Sequence, residues 1–216
     1  MTGAATTLLL IRHGETAWNA EHRIQGRLDV PLSATGGGQS NRLAQRLAGE
    51  TVDAIVSSDL ARAWMTGAPL ADARGLTMAA DHRLRERAFG IFEGKTLDEI
   101  AAEHPHELAA WRARDVDWRI PGGESGREFI DRVLAALGEI IAAHAGATVA
   151  VVTHGGVLDV VYRHARSLAW DAPRDHLMLN ASINRLHARG GPLRLGIIDW
   201  ADVAHLDQAR DELASP

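Results

Sequence analysis

The stretch Thr7-Leu8-Leu9-Leu10-Ile11 runs directly into Arg12-His13-Gly14, so an unbroken apolar run ends in charged and titratable residues. Two further apolar runs lead into polar residues in the same way: Ala54-Ile55-Val56 into Ser57-Ser58-Asp59, and Thr148-Val149-Ala150-Val151-Val152 into Thr153-His154-Gly155-Gly156. A helical pattern follows each run. Continuous apolar strands that alternate with helices are typical of a parallel sheet covered on both faces.

Two helix starts carry a capping-box pattern, in which a hydroxyl residue is followed three positions later by a glutamate. Thr96 with Glu99 forms one, and Ser125 with Glu128 forms the other. The second opens a helix with apolar side chains four residues apart on one stripe, namely Phe129, Val133, Leu137 and Ile141. This spacing predicts a helix that packs one face on the sheet.

Two other helices are less regular. Asp59 or Ser58 is expected to cap a helix that runs through Leu70. The helix expected after Ser33 contains Gly36-Gly37-Gly38, and each glycine costs about 0.8–1 kcal/mol relative to alanine. That helix is therefore expected to start late or to fray.

Near the end of the chain, the runs 183–188 and 193–198 flank Arg189-Gly190-Gly191-Pro192, which predicts a hairpin and an antiparallel edge on the sheet. The segment from His104 to Pro121 is expected to be a helix and loop lying over the sheet. The prediction for residues 1–216 is a single α/β domain. Its architecture would be a three-layer α/β/α sandwich with a mostly parallel sheet and an antiparallel edge.

The bulk composition limits the class of protein. The chain has 216 residues, 46% hydrophobic and 24% charged, with a net charge of -5, as in a soluble globular protein. A negative net charge argues against a nucleic-acid partner. No apolar stretch reaches the ~18 residues of a membrane span, and no basic, signal-like segment precedes Leu8. We therefore expect no membrane association and a cytoplasmic location.

The candidate site lies where the strands end, because ligands of parallel sheets bind outside the carboxyl ends of the strands. If the strands are neighbours, His13, His154, Arg12 and Arg62 converge there, beside helix N-termini with unsatisfied N–H groups. Guanidinium groups and helix N-termini suit a phosphate group. The chain has no cysteine and no metal-ligand motif, so histidine is the best nucleophile available, with no metal and no cofactor expected.

Six ordered blocks of sequence then resemble the histidine phosphatase superfamily, the phosphoglycerate-mutase-like proteins. They are Arg12-His13-Gly14-Glu15-Thr16 with Trp18-Asn19 and Arg23-Ile24-Gln25-Gly26; Pro31-Leu32-Ser33 with Gly36 and Gln39; Ser57-Ser58-Asp59-Leu60-Ala61-Arg62-Ala63 with Thr66; Leu84-Arg85-Glu86-Arg87-Ala88-Phe89-Gly90 with Glu93-Gly94; Gly122-Gly123-Glu124-Ser125; and Val152-Thr153-His154-Gly155-Gly156. A lone Arg-His-Gly is a weak signal, but the ordered set covers nearly the whole chain.

The resemblance implies a role for each matched position. His13 would attack phosphorus and become a phosphohistidine. Arg12, Arg62 and His154 would hold the phosphoryl oxygens in the transition state. Glu86 would protonate the leaving oxygen and then help water to attack. The remaining positions implied to contact substrate are Asn19, Gln25, Gly26 and Gly155.

One requirement follows from the chemistry of imidazole: the ring nitrogen of His13 that does not attack should donate to a fixed acceptor, such as a backbone carbonyl. Other residues have simpler interpretations. The nine further histidines, including His176, are expected on the surface, and Trp111 and Trp118 are expected to pack. The alternating charges of Arg112, Arg114, Asp115, Asp117 and Arg119 are interpreted as a solvated face.

Three functions fit these residues: a phosphatase acting on a small phosphorylated metabolite, a phosphoglycerate-type phosphomutase, and a non-catalytic phospholigand-binding protein. The non-catalytic reading is the weakest, because every matched catalytic position is filled. Cofactor-dependent mutases of the family carry a longer, more basic insertion after the acid block. Here the segment between Glu86 and Glu124 is short, and Lys95 is the only lysine in the chain. The sequence thus favours the phosphatase, and an exposed sheet edge would allow a homodimer.

Overall fold

Six strands form one sheet in the computed structural model, which describes residues 5–189 and 193–209. They are β1 (Thr6–Arg12), β2 (Ala54–Ser57), β3 (Met78–Ala80), β4 (Thr148–Thr153), β5 (Ile183–Arg189) and β6 (Arg194–Asp202). Their order is β3-β2-β4-β1-β5-β6. The first four strands in that order pair in parallel, whereas β5 is antiparallel to both β1 and β6.

This topology confirms the predicted α/β fold with a mostly parallel sheet and an antiparallel edge. The turn of the predicted hairpin includes residues 190–192, which lie outside the described residues. Strand β3 has no counterpart among the sequence predictions, because a three-residue strand that exposes Ala79 and Ala80 carries no apolar run to recognise.

Helices cover both faces of the sheet. They are α1 (Ala17–Ala20), α2 (Ala34–Arg46), α3 (Ala61–Arg74), α4 (Leu97–Glu103), α5 (Pro105–Arg112), α6 (Gly126–Ala143) and α7 (Gly155–Arg166). On one face, α2 and α3 pack on inward side chains such as Leu9 and Ile11. On the other face, α6 and α7 pack on their neighbours Leu8 and Leu10. Alternate residues of β1 thus serve opposite cores, which explains why its apolar run is continuous.

Both predicted capping boxes are present. Thr96 and Glu99 cap α4 reciprocally, and Ser125 and Glu128 do the same for α6. The segment between these helices carries α5 and a loop, as the sequence predicts. Leu108 and Ile120 of this segment pack with Phe92 and Ile100 in a small apolar core, separate from those on the two faces of the sheet. This region is therefore packed separately from the helices on the two faces of the sheet.

The predicted cap of α3 is wrong. The helix begins at Ala61, and neither Asp59 nor Ser58 caps it; the Ala61 N–H instead donates to Asp29 Oδ1 at 2.7 Å, from a distant loop. Asp59 is held by the guanidinium of Arg85. The cap could not be read from neighbouring sequence because Asp29 meets the helix only in the folded chain.

The expectation of a late start for α2 is also wrong. Ser33 caps the helix at the N–H of Gly36, and α2 begins at Ala34. A Cβ at Gly36 would lie 2.0 Å from the carbonyl oxygen of Glu15, so this glycine allows the helix to approach the loop after β1. Added Cβ atoms at Gly37 and Gly38 would meet open space. Of the three glycines, Gly36 is thus the one that the close contact between α2 and the loop after β1 requires.

Candidate active site

The site begins where β1 and β4 end side by side. The strands are parallel with Arg12 opposite Thr153, and the ladder continues one residue further, where the His13 N–H donates to the Thr153 carbonyl at 2.8 Å. The next residues, His13 and His154, are therefore neighbours, with ring centroids 5.2 Å apart. The strand pairing brings together the two histidines that the sequence places after separate strands.

His13 is almost fully buried, and its orientation is fixed. Its Nδ1 lies 2.7 Å from the carbonyl oxygen of Gly14, which can only accept, so Nδ1 carries the proton and Nε2 keeps a lone pair. Burial, followed by the charges of Arg62 and Arg12, lowers the pKa of His13 well below the usual 6.5. The ring is thus neutral at pH 7 and oriented for nucleophilic attack, as the sequence requires.

His154 is buried as well and precedes the first residue of α7. Its Nε2 lies 2.8 Å from Ser58 Oγ, and its Nδ1 has no hydrogen-bond partner among the described residues. Burial and the nearby Arg62 charge lower the pKa of His154 well below 6.5. If Ser58 donates to Nε2, a neutral His154 carries its proton on Nδ1. That N–H would then be available to a phosphoryl oxygen.

Both arginines are buried beside these rings. Arg62, in the first turn of α3, donates to the carbonyls of Gly26 at 2.7 Å and Leu28 at 2.9 Å. Arg12 donates from Nη1 to the carbonyl of Met178. The carbonyl acceptors orient both guanidinium groups, which can bind a phosphate dianion.

Glu86 lies 8% exposed, with its carboxylate held by two backbone donors. The Arg87 N–H donates to Oε1 at 2.7 Å, and the Gly156 N–H donates to Oε2 at 2.9 Å. A Cβ at Gly156 would stand 2.2 Å from Oε1, so only glycine leaves room for the carboxylate in this position. The loop that carries Glu86 is therefore tied to the start of α7, directly after His154.

A second set of contacts holds the same loop. Arg132 donates to the carbonyls of Arg83 at 2.6 Å and Arg85 at 2.9 Å, and it pairs with Glu124 at 2.8 Å. The Glu124 carboxylate also accepts from the N–H of Ala88 at 3.0 Å. Arg132 had no role among the sequence predictions, because its contacts depend on how α6 packs.

The other predicted substrate contacts lie around this centre. Asn19 is buried in α1, where its side-chain oxygen accepts from the Thr16 N–H at 2.7 Å and its Nδ2 has no partner among the described residues. Gln25 and Gly26 line the cavity over His13. Gly155 is the first residue of α7.

A cavity of about 450 Å³ opens over part of this set; Asn19, His154 and Gly155 are not among its lining residues. The site residues predicted from the sequence that line this cavity are Arg12, His13, Gln25, Gly26, Arg62 and Glu86. Within the described ranges, no group of three or more His, Cys, Asp or Glu side chains could hold a metal ion, and no helix is both long and apolar enough to cross a membrane. The cavity can thus hold a phosphate ester between a histidine nucleophile and a carboxyl group.

Two supporting residues have no predicted role. Ser58 contacts His154, as described above. Thr66 Oγ1 accepts from the Gly14 N–H at 2.9 Å and donates to the Arg62 carbonyl at 2.7 Å, so it joins the nucleophile loop to α3. Both lie in sequence blocks of the resemblance, which was the signal that could have identified them.

Two sequence interpretations need correction. His176 is buried, because it stacks on Tyr162 with ring centroids 3.8 Å apart and contacts Asp159 at 3.1 Å. The alternating charges of residues 112–119 do not form one solvated face: Arg114 is half-buried and donates to the Trp170 carbonyl at 2.8 Å. Asp117 and Arg119 pair instead with residues of α6.

Comparison with known proteins agrees with this geometry. The model of the histidine phosphatase superfamily (branch 1) matches residues 8–199. The probable phosphoglycerate mutase GpmB of Yersinia pestis is 40% identical, over 94% of this chain and 97% of its own length. The solved structure of mycobacterial glucosyl-3-phosphoglycerate phosphatase with VO3 superposes with a TM-score of 0.79 at 32% identity, covering 90% of this chain and 98% of its own. Bacillus stearothermophilus YhfR gives 0.82 at 35% identity, covering 93% and 99%.

Proposed function

This chain belongs to the histidine phosphatase superfamily, and we propose that it is a phosphatase that passes the phosphoryl group of a small phosphorylated substrate to His13 and then to water. The observation that carries the proposal is the state of His13. Its Nδ1 is held by the Gly14 carbonyl at 2.7 Å, and its pKa is lowered by burial and by two arginines. A neutral imidazole with a fixed lone pair on Nε2 is a nucleophile at neutral pH.

In the first step, Nε2 of His13 forms a bond to phosphorus while the bond from phosphorus to the ester oxygen breaks. Arg12, Arg62 and His154 stabilise the charge on the phosphoryl oxygens. Glu86 gives its proton to the leaving oxygen, so that an alcohol departs rather than an alkoxide. Such proton transfer accelerates a reaction by about 10²–10⁴-fold.

In the second step, water attacks the phosphohistidine. Glu86, now ionised, takes a proton from this water while the bond from phosphorus to Nε2 breaks. The products are inorganic phosphate, neutral His13 and protonated Glu86, so the enzyme returns to its starting state. One carboxyl group serves both steps because water enters where the alcohol has left.

The second candidate is a phosphoglycerate-type mutase, which the name of the Yersinia relative favours. Both activities use the same phosphohistidine, and they differ in whether water reaches it. The segment between Glu86 and Glu124 favours hydrolysis, because it is shorter than the insertion that the resemblance associates with retention of a bisphosphorylated intermediate. A non-catalytic phospholigand-binding role would leave the oriented Nε2 of His13 unexplained.

The test is hydrolysis of p-nitrophenyl phosphate in the presence of EDTA, with vanadate as inhibitor. His13→Ala should abolish turnover and also the acid-labile phosphate label on the protein, whereas His187→Ala, an exposed histidine of β5, should retain both. Retained labelling in His13→Ala would place the nucleophile elsewhere. Loss of activity in EDTA would contradict a metal-free mechanism.

A phosphoglycerate assay that scores released phosphate and isomerised product separately distinguishes the two candidate activities. We expect phosphate release to exceed isomerisation. The opposite result would favour the mutase.

A further inference from the structure

A second cavity, of about 260 Å³, adjoins the phosphate site on the side of Glu86. Glu86, Phe89 and Trp111 line both cavities, so they form the wall between the two. Under the proposed function, on which this inference rests, Glu86 faces the oxygen that leaves with the alcohol. The second cavity is therefore the space that the alcohol part of the substrate can enter.

The size and walls of this cavity restrict the alcohol. Its volume is what roughly nine water molecules occupy in the liquid, far more than a three-carbon sugar acid fills. Besides Phe89 and Trp111, the walls include Trp118, Trp170 and Phe129. Several indole and phenyl groups around one space make its walls largely apolar, which favours a flat apolar ring as the ligand.

The same walls carry cations without carboxylate partners. The guanidinium groups of Arg87 and Arg114 lie 5.7 and 5.5 Å from the ring centroid of Trp170. Their N–H groups donate to the backbone carbonyls of Glu124 and Trp170. Within the described chain, neither guanidinium has a carboxylate oxygen within 4.0 Å.

Because the guanidinium groups of Arg87 and Arg114 are removed from water, an anion bound beside them would be stabilised. Arg87 is only 5% exposed, and burial lowers its pKa to about 10; burial also lowers the pKa of Arg114. The charges of Glu124 and Glu86 offset part of this effect at Arg87, and the charge of Asp159 does so at Arg114, although none of them forms an ion pair with these groups. A buried cation without a paired anion is unfavourable. Of the acidic residues on the walls, Glu86 accepts from the N–H groups of Arg87 and Gly156. Asp159 is held by Arg163 at 2.9 Å and His176 at 3.1 Å. The exposed Asp115 accepts from the Asp117 N–H.

We infer that this cavity binds the alcohol part of the substrate, and that this part is a flat aromatic ring bearing its own negative charge. The ring lies among the tryptophans, and its anionic group meets Arg87 and Arg114. A charge-assisted contact of this kind is what separates the substrate from uncharged aryl and alkyl phosphates.

Four synthetic esters test the inference: 4-carboxybenzyl, 4-carbamoylbenzyl, benzyl and cyclohexylmethyl phosphate. The first two differ in charge but hardly in shape, and the methylene group keeps the leaving alcohols similar in acidity. The last two differ in flatness. We expect kcat/KM to be about tenfold higher for the carboxylate than for the carboxamide, and several-fold higher for benzyl than for cyclohexylmethyl.

Arg114→Gln should reduce the ratio of kcat/KM for the carboxylate ester to kcat/KM for the carboxamide ester toward one. Arg114→Lys should retain part of this preference. Arg127→Gln removes the same charge from an exposed ion pair with Asp117, outside the cavity, and should keep the ratio. The wild-type ratios decide the question without any variant, so a poorly folded Arg114→Gln does not obscure the result.

The outcomes are distinct. Equal kcat/KM for the carboxylate and the carboxamide, or for benzyl and cyclohexylmethyl phosphate, overturns the inference while the phosphatase stands. An unchanged ratio in Arg114→Gln overturns the assignment of the anion to this cavity. No hydrolysis of any ester or of p-nitrophenyl phosphate overturns the proposed function, and the inference with it.

Discussion

At the scale of single residues, the contact between Glu86 and Gly156 links the acid to the helix that follows His154. The Gly156 N–H donates to one carboxylate oxygen, and the absence of a Cβ leaves room for the other. The carboxylate is the end of a flexible side chain and can be displaced without moving backbone. A methyl group at Gly156 should therefore disturb the chemistry more than the fold.

We predict that Gly156→Ala lowers kcat/KM for alkyl phosphates by about tenfold or more, because the displaced carboxyl group no longer reaches the leaving oxygen. With p-nitrophenyl phosphate, whose phenolate leaves without help, kcat/KM should change much less. The control is Gly138→Ala, at a helical glycine of α6 where a Cβ meets open space. Equal losses on both substrates would indicate that Gly156 supports the fold and not the acid.

At the scale of elements, helix α3 matters because it carries Arg62 in its first turn, and its N-terminal N–H is satisfied by Asp29 from another loop. We predict that Asp29→Ala lowers the free energy of unfolding by about 1 kcal/mol, the usual value of a lost cap. Asp29→Asn keeps the oxygen acceptor and should lose less. Urea unfolding measures both; equal losses would show that charge near the helix end, not the hydrogen bond, is what counts.

The elements also show how far sequence alone reaches. Strands β1, β2 and β4 and the capping boxes of α4 and α6 were predictable, since each depends on residues adjacent in the chain. Arg12, His13 and His154 followed from the same pattern, because parallel strands bring their carboxyl ends together. The roles of Asp29 and Arg132 were not predictable, since their partners lie far away in sequence. The burial of His176 likewise depends on Tyr162, a neighbour only after α7 has folded.

At the scale of the whole molecule, two buried neutral histidines make stability depend on pH. The pKa values of His13 and His154 lie well below 6.5 in the folded chain and near 6.5 in the unfolded chain. Between those values the unfolded chain binds more protons. The contribution of these two histidines to the free energy of unfolding is therefore largest above pH 6.5, and it falls as the pH decreases below that value.

We predict a loss of roughly 1 kcal/mol per pH unit per histidine over the acid side of this window. Urea unfolding at pH 7.5 and pH 5.5 measures it. His13→Gln should remove the part of this pH dependence that His13 contributes. His187→Gln, at an exposed position, should leave the pH dependence of the free energy of unfolding unchanged. A wild-type stability that is constant between these pH values would contradict neutral burial of both rings.

The placement of His13 and Glu86 in one cavity also predicts the stereochemistry of the reaction at phosphorus. His13 is the only proposed nucleophile, and Glu86 serves both the departing alcohol and the arriving water, so both use the same side of the phosphorus. Each in-line displacement inverts the configuration at phosphorus. Two inversions restore the original handedness. A phosphate ester made chiral with oxygen isotopes and sulfur would thus release thiophosphate with retained configuration.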